Sequence, residues 1–135
     1  YEAESLIKKI KEKFSHIPDI PVILTSATKV INIDKIVPEA IVVYENSIRR
    51  INQKELNKCF INAITNKQPP SKGKKTPELF SISQYKVGPP GFKFESSNYD
   101  LIHFSYKRYL ENNIRQSFDF SGCPISLRFV KGKKY

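Results

Sequence analysis

The turn Gly88-Pro89-Pro90-Gly91 constrains this chain more than any other stretch, because it separates two strand-like runs with turn-forming residues, two of which lack a backbone N–H. Residues 79–87 and 92–95 therefore predict two strands joined as a hairpin. Beyond them, Ile102, Tyr106, Leu110, Ile114 and Phe118 recur every fourth residue and predict a long helix. Ser97-x-x-Asp100 reads as its start, and Gly122 and Pro124 as its stop. Ile125, Leu127 and Phe129 then alternate with Ser126 and Arg128, the period of a half-buried strand. Upstream, Asn52-x-x-Glu55 opens a helix whose apolar stripe is Leu56, Cys59, Phe60, Ala63 and Ile64, ending near Thr65. The order helix, strand, strand, helix, strand predicts a self-sufficient α+β unit, a three-stranded sheet packed by helices.

The first fifty residues read differently. Leu6, Ile7, Ile10 and Phe14 have helical spacing, and a helix is expected to end near residue 14. Pro21-Val22-Ile23-Leu24 is a continuous apolar run, the pattern of a strand buried on both faces, with Thr25-Ser26-Ala27-Thr28 as its polar exit. Val37, Ile41, Tyr44 and Ile48 restore the helical period, with Pro38 in the first turn or at a kink. One such strand between two helices cannot complete a sheet, so its neighbours are expected upstream of Tyr1. The chain also has no methionine, and we read it as a piece of something longer. The boundary is placed at Arg49-Arg50-Ile51-Asn52, giving units 1–50 and 51–135.

Charge divides at the same point. Residues 1–50 carry 8 Lys and Arg against 7 Asp and Glu, whereas residues 51–135 carry 15 against 6, so the net charge of +10 belongs almost wholly to the second unit. An excess of this size favours polyanionic partners. No apolar run approaches the roughly 18 residues that span a bilayer, and no signal peptide opens the chain, so a cytoplasmic location is expected. A peripheral membrane binder would need an amphipathic basic helix with exposed bulky apolar groups, which is not evident. Cys59 and Cys123 are far apart, and with only His16 and His103 they suggest neither a disulfide scaffold nor a metal site. No residues stand at the spacing of a nucleophile and its base, so no catalytic residue is expected.

Two clusters are candidates for binding. Lys72, Lys74 and Lys75 lie in the loop 66–77, and Lys131, Lys133 and Lys134 repeat the same Lys-Gly-Lys-Lys tetrapeptide at the tail. Such runs are ordinarily solvated charge. Here they belong to a unit with a sheet surface and with Phe80, Tyr85, Phe92, Tyr99 and Tyr109 as candidate stacking groups, most of which are expected in the core. If about five lysines met phosphates of single-stranded RNA, the salt slope would be roughly −3 to −4. Arg108 and Arg115 share a helix face and could meet phosphate or pair with acids such as Glu111. Thr25-Ser26-Ala27-Thr28 is either an ordinary strand exit or a ligand-contacting loop of the kind found at strand ends in α/β sheets.

Several of these stretches carry a resemblance. Lys54-Glu55-Leu56-Asn57 through Gln68-Pro69-Pro70, the turn Val87-Gly88-Pro89-Pro90, the run His103-Phe104-Ser105-Tyr106-Lys107-Arg108-Tyr109-Leu110-Glu111-Asn112, and Gly122-Cys123-Pro124-Ile125 resemble the C-terminal KH-like domain of the bacterial double GTPase family called Der or EngA. Leu24-Thr25-Ser26-Ala27-Thr28 is similar to the guanine-recognition loop that closes that family's second GTP-binding domain. The resemblance covers nearly the whole chain. It implies a KH-like domain after a helix-strand-helix remnant of an α/β P-loop GTPase domain, and Thr25, Ser26, Ala27 and Thr28 as a nucleotide-binding remnant.

The implied role is in large ribosomal subunit assembly. The implied partners are ribosomal RNA and the protein's own GTP-binding domains, with neither membrane nor DNA among them. RNA contact would fall on Lys72, Lys74, Lys75, Arg108, Lys131, Lys133 and Lys134. GTP and magnesium are implied for the parent protein only, since no G-x-x-x-x-G-K-[ST] loop, Asp-x-x-Gly or Asn-Lys-x-Asp occurs here. The chain as it stands is therefore expected to be catalytically silent. Gly88-x-x-Gly91 also matches the clamp by which KH domains hold four nucleotides. Here it joins two strand patterns and its prolines lack N–H donors, so it reads as a hairpin turn, which moves RNA contact towards the basic loop and tail. Cys123 stands where the family often has Thr.

Overall fold

The computed structural model describes residues 2–133. Along the chain run α1 (Glu2–Lys13), a 3-10 turn (Ile33–Lys35), α2 (Ile36–Ser47), α3 (Gln53–Asn66), β1 (Leu79–Lys86), β2 (Gly91–Ser96), a second 3-10 turn (Tyr99–Leu101), α4 (Phe104–Ser117) and β3 (Ser126–Lys131). The strands form one sheet in the order β1-β2-β3, with β1 antiparallel to β2 and β2 parallel to β3. A tight turn joins the antiparallel pair. The parallel pair needs a long crossover, and α4 supplies it.

Local chemistry accounts for each element of this unit. The Asn52 side chain accepts a hydrogen bond from the Lys54 amide at 2.8 Å and caps α3. Leu56, Cys59, Phe60 and Ala63, spaced by three and four, are its buried stripe. Tyr106, Leu110 and Ile114 do the same for α4. From the sheet, Phe92 and Phe94 point at these helices and are almost fully buried, and Phe94 stacks on Phe129 of β3 with centroids 5.1 Å apart. At the end of α3 the Ala63 carbonyl takes the Lys67 amide, and two tyrosines of α4 add side-chain donors. Tyr106 Oη donates to the Lys67 carbonyl and Tyr109 Oη to that of Ala63, each at 2.7 Å.

The start of α4 differs from expectation. Residues Ser97 to Asp100 do not open the helix: Asn98 is left-handed at φ 45°, and the Ser97 hydroxyl accepts from the Glu78 amide instead. His103 is the cap, its Nδ1 accepting from the Ser105 amide at 3.1 Å, and the helix begins at Phe104. Ile102 is buried, but it lies ahead of the helix.

Residues 21–24 differ too. They form no strand: Val22 and Ile23 are half-buried, Pro21 and Leu24 exposed. An apolar run becomes a buried parallel-type strand only where neighbours take its N–H and C=O groups, and the sheet β1-β2-β3 lies elsewhere. Pro38 sits in the first turn of α2. Much of the surrounding apolar surface is open, including Ile36, Val37, Ile41, Val42 and Tyr44.

The end of α2 and the residues just after it grip the loop between α4 and β3. Asn46, only 3% exposed, donates through Nδ2 to the Ser121 carbonyl at 3.3 Å. Arg49 donates through Nε to the Asp119 carbonyl at 3.2 Å and through Nη2 to Asn46 Oδ1 at 2.9 Å. Gly122, at φ 77°, donates its N–H to the Pro18 carbonyl, and a Cβ there would come within 3.1 Å of both Pro21 and Val43. Gln84 of β1 accepts from the Ile51 amide at 2.8 Å and donates to the Arg49 carbonyl at 2.9 Å.

Candidate nucleic-acid interface

The basic loop 66–77 is closed on itself. Lys72 and Lys75 exchange backbone hydrogen bonds, Gly73 takes the left-handed conformation at φ 66°, and the Ser71 and Thr76 hydroxyls lie 2.8 Å apart. Lys72, Lys74 and Lys75 are all exposed on this turn. The loop delivers the chain to β1, whose Leu79 is opposite Ser96 of β2, and Ser96 in turn is opposite Lys131 of β3. Lys131 and Lys133 therefore leave the sheet at the end where the basic loop enters it. Lys134 lies outside the described residues.

Arg108 is elsewhere. It is exposed on α4, with its guanidinium 5.8 Å from the Phe104 ring centroid, beside a shallow groove lined by Ser15, His16, Lys107 and Leu127. Arg115 belongs to the loop clamp: it donates to the Phe120 and Cys123 carbonyls at 3.3 and 2.9 Å, and its Nε faces Glu111 at 3.6 Å. Of the aromatic groups considered for stacking, Phe92 is core, Tyr109 is bonded to α3, and Tyr99 and Tyr85 retain exposure. Lys86, Lys93, Lys107 and Arg128 belong to no basic run and escape a reading of the sequence. For Lys107 and Arg128 the aromatic neighbour comes from another element: Lys107 Nζ is 5.0 Å from the Phe129 ring centroid, and the Arg128 guanidinium 5.4 Å from that of Tyr85.

Thr25, Ser26, Ala27 and Thr28 form a tight turn. Ser26 exchanges backbone hydrogen bonds with Ile31, its hydroxyl accepts from the Lys29 amide at 3.3 Å, and Asn32 Nδ2 donates to the Leu24 carbonyl at 3.0 Å. The turn closes through Val30 and Asn32, both left-handed. The Ala27 and Thr28 amides make no hydrogen bond among the described residues. Among the described residues no cluster of His, Cys, Asp and Glu is placed to hold a metal ion, and no helix is long and apolar enough to cross a membrane.

A three-stranded mixed sheet covered on one face by two helices, with one edge strand brought in parallel by a helical crossover, defines a KH-like α+β domain. The turn between β1 and β2 keeps Gly88 and Gly91 but sets prolines between them, which have no N–H to offer a phosphate. The model of the family described as the KH-domain-like C-terminal domain of EngA bacterial GTPase enzymes matches residues 50–129, and the chain belongs to that family. It is 38% identical to the GTPase Der of Clostridium acetobutylicum over 130 residues, covering 96% of this chain and 30% of that relative. With the GTPase Der of Thermomicrobium roseum it shares 38% identity over 126 residues, 93% of this chain and 27% of the relative. With that of Helicobacter hepaticus it shares 37% over 132 residues, 98% and 27%. The chain thus spans less than a third of the length of these relatives.

Proposed function

We propose that residues 51–135 dock ribosomal RNA during assembly of the large ribosomal subunit, and that residues 1–50 are the closing segment of a GTP-binding domain whose remaining parts bind and hydrolyse the nucleotide. The observation that carries this reading is the concentration of charge: 15 Lys and Arg against 6 Asp and Glu in one small unit, with exposed lysines at the end of the sheet where both loop and tail emerge. Lys72, Lys74, Lys75, Lys131 and Lys133 supply phosphate contacts there, with Lys134 beyond the described residues, and Arg108 contributes from a separate face. Binding of this kind is electrostatic and weakly sequence-specific. The open apolar surface around α2 fits a segment that packs on the rest of a GTP-binding domain.

In that domain the Thr25–Thr28 turn would approach the guanine base of GTP, with the Ala27 and Thr28 amides available to an acceptor. Phosphate and magnesium would be held by residues that this chain does not contain. The location that goes with this role is the cytoplasm.

A second reading has its own support: the grip of α2 on the 118–123 loop, through Asn46, Arg49 and Cys123, makes the KH-like unit a mechanical partner of the domain to which α2 belongs. In this reading the unit senses nucleotide state and has little RNA affinity of its own. Binding of the whole chain to ribosomal RNA and to an unrelated RNA of equal length, across a salt series, separates the two. Steep salt dependence with preference for ribosomal RNA supports docking. No binding at about 150 mM salt, where exposed charges are screened beyond ~8 Å, supports the sensor.

A further inference from the structure

The face of the sheet turned away from α3 and α4 carries an aromatic group framed by cations. Phe92 and Phe94 point at the helices, so their neighbours Gly91, Lys93 and Glu95 point outward. The register places Ser83 of β1 and Arg128 of β3 on either side of Lys93, and Ser126 beside Gly91. Tyr85 lies across this row. A Cβ on Gly91 would come within 2.8 Å of the Tyr85 ring, which therefore rests directly on the backbone of the central strand. Its hydroxyl is 3.1 Å from Ser126 Oγ on the far strand, so the ring spans all three strands. The Arg128 guanidinium is 5.4 Å and Lys86 Nζ 5.8 Å from the ring centroid.

Lys86, Lys93 and Arg128 form no ion pair with a carboxylate among the described residues, including Glu95 on the same strand as Lys93. Two like charges beside the ring, with Lys93 next to Arg128 on the same face, repel one another, and a polyanion relieves that repulsion. The ring is anchored at both ends, one face rests on glycine backbone, and half-burial leaves part of it accessible. Arg128 and Lys86 lie over the ring within cation–π range, so a stacking base takes their place on it and leaves their charges to the flanking phosphates.

We propose that this outward sheet face is a binding site for single-stranded RNA, with a base stacked on Tyr85 and flanking phosphates held by Lys86, Lys93 and Arg128. The proposal deepens the RNA-docking reading and rests on it. It adds a site separate from the basic loop, on a surface where a base, not only a phosphate, can be engaged. Stacking on a fixed aromatic is tolerant of sequence but selects unpaired bases. An acidic protein partner fits less well, because it would use the cations and leave the ring idle.

The test is anisotropy with a fluorescent single-stranded oligouridylate, a duplex RNA of equal length and a polyglutamate peptide, using the full chain. Tyr85→Leu is expected to weaken single-strand binding about 10-fold, whereas Tyr85→Phe, which keeps the ring and loses the Ser126 contact, stays within about twofold. Lys93→Ala with Arg128→Ala should flatten the salt slope by about 1.4. Because the chain has no tryptophan, Tyr85→Trp gives a single reporter whose emission should be quenched by bound bases. Failure of the unmodified chain to bind any RNA overturns the docking reading and this one together. RNA binding that is indifferent to Tyr85→Leu, with no quenching of the tryptophan, overturns this site and leaves docking standing. Equal binding of duplex or of polyglutamate also overturns it.

Discussion

The Cys123 thiol donates to the Val43 carbonyl oxygen at 3.3 Å, so the loop ahead of β3 is bonded to the backbone of α2, eighty positions earlier. Cys123 is 1% exposed, and burial pushes its thiol above the usual cysteine range. A protonated, inaccessible thiol is a poor nucleophile. Iodoacetamide at neutral pH is expected to leave Cys123 unmodified in the folded chain and to modify it in denaturant, as read by mass spectrometry of the intact and digested protein.

Gly122 is fixed by conformation and by space. An L side chain at φ 77° costs about 1–2 kcal/mol, and here its Cβ would also crowd Pro21 and Val43 at 3.1 Å. Gly122→Ala should lower the thermal midpoint by several degrees, equivalent to about 2 kcal/mol or more. Gly73→Ala is the control: Gly73 is also left-handed, but a Cβ there would meet nothing within 4 Å, so its cost isolates the conformational share.

Asp119 stays ionised to lower pH than an ordinary aspartate, because the Ser121 amide donates to its Oδ1 at 3.0 Å; the Ser121 side chain and the Arg49 charge add to this. With the folded-state pKa depressed, the stabilisation is present above the unfolded value near 3.8 and is lost as pH falls through the folded one. Asp119→Asn should therefore reduce the acid sensitivity of the chain below about pH 4, measured by denaturant melts at pH 7 and at pH 3.

Tyr106 is pushed up to about 12, first by burial and then by the neighbouring Tyr109. The unfolded state ionises near 10 and the folded state later, so stability is complete below pH 10 and declines between 10 and about 12. A spectrophotometric titration should show one phenol ionising after the others, and Tyr106→Phe should remove that step. The same change frees the Lys67 carbonyl and should cost about 1 kcal/mol in denaturant melts.

Replacing Lys72, Lys74 and Lys75 with Ala together should weaken RNA binding and reduce the magnitude of the salt slope by about 2, at about 0.7 per lost phosphate contact. The loop is exposed, so the melting temperature should hardly change. Unchanged binding across the salt series would remove this loop from the interface.

Where an element carries its own signals, sequence and structure agree. Asn52 caps α3, Gly88 to Gly91 turns the hairpin, and Leu127 and Phe129 line the inner face of β3. Disagreement arises where a residue has a competing partner. Ser97 resembles a cap, yet its hydroxyl serves the Glu78 amide, and a histidine, rarer in that role, caps α4 instead. Residues 21–24 have the composition of a buried strand, but pairing is a property of two segments, and the described residues provide no second one. The setting of Tyr85 is hidden from the sequence for the same reason. Its backing is a glycine on β2, its anchor a serine on β3 and one of its cations an arginine on β3, which only the register brings together.

The side chain of Gln84 bonds to the backbone at both Arg49 and Ile51, and the Gly88 amide bonds to the Ser47 carbonyl at 2.8 Å. A joint bonded on both sides of a single residue has no slack. Inserting even one glycine at Arg50 would shift one bond out of reach of the other, so this junction, unlike a surface loop, has a length counted in whole residues. Swapping one half for a relative's would succeed or fail on whether that count is kept.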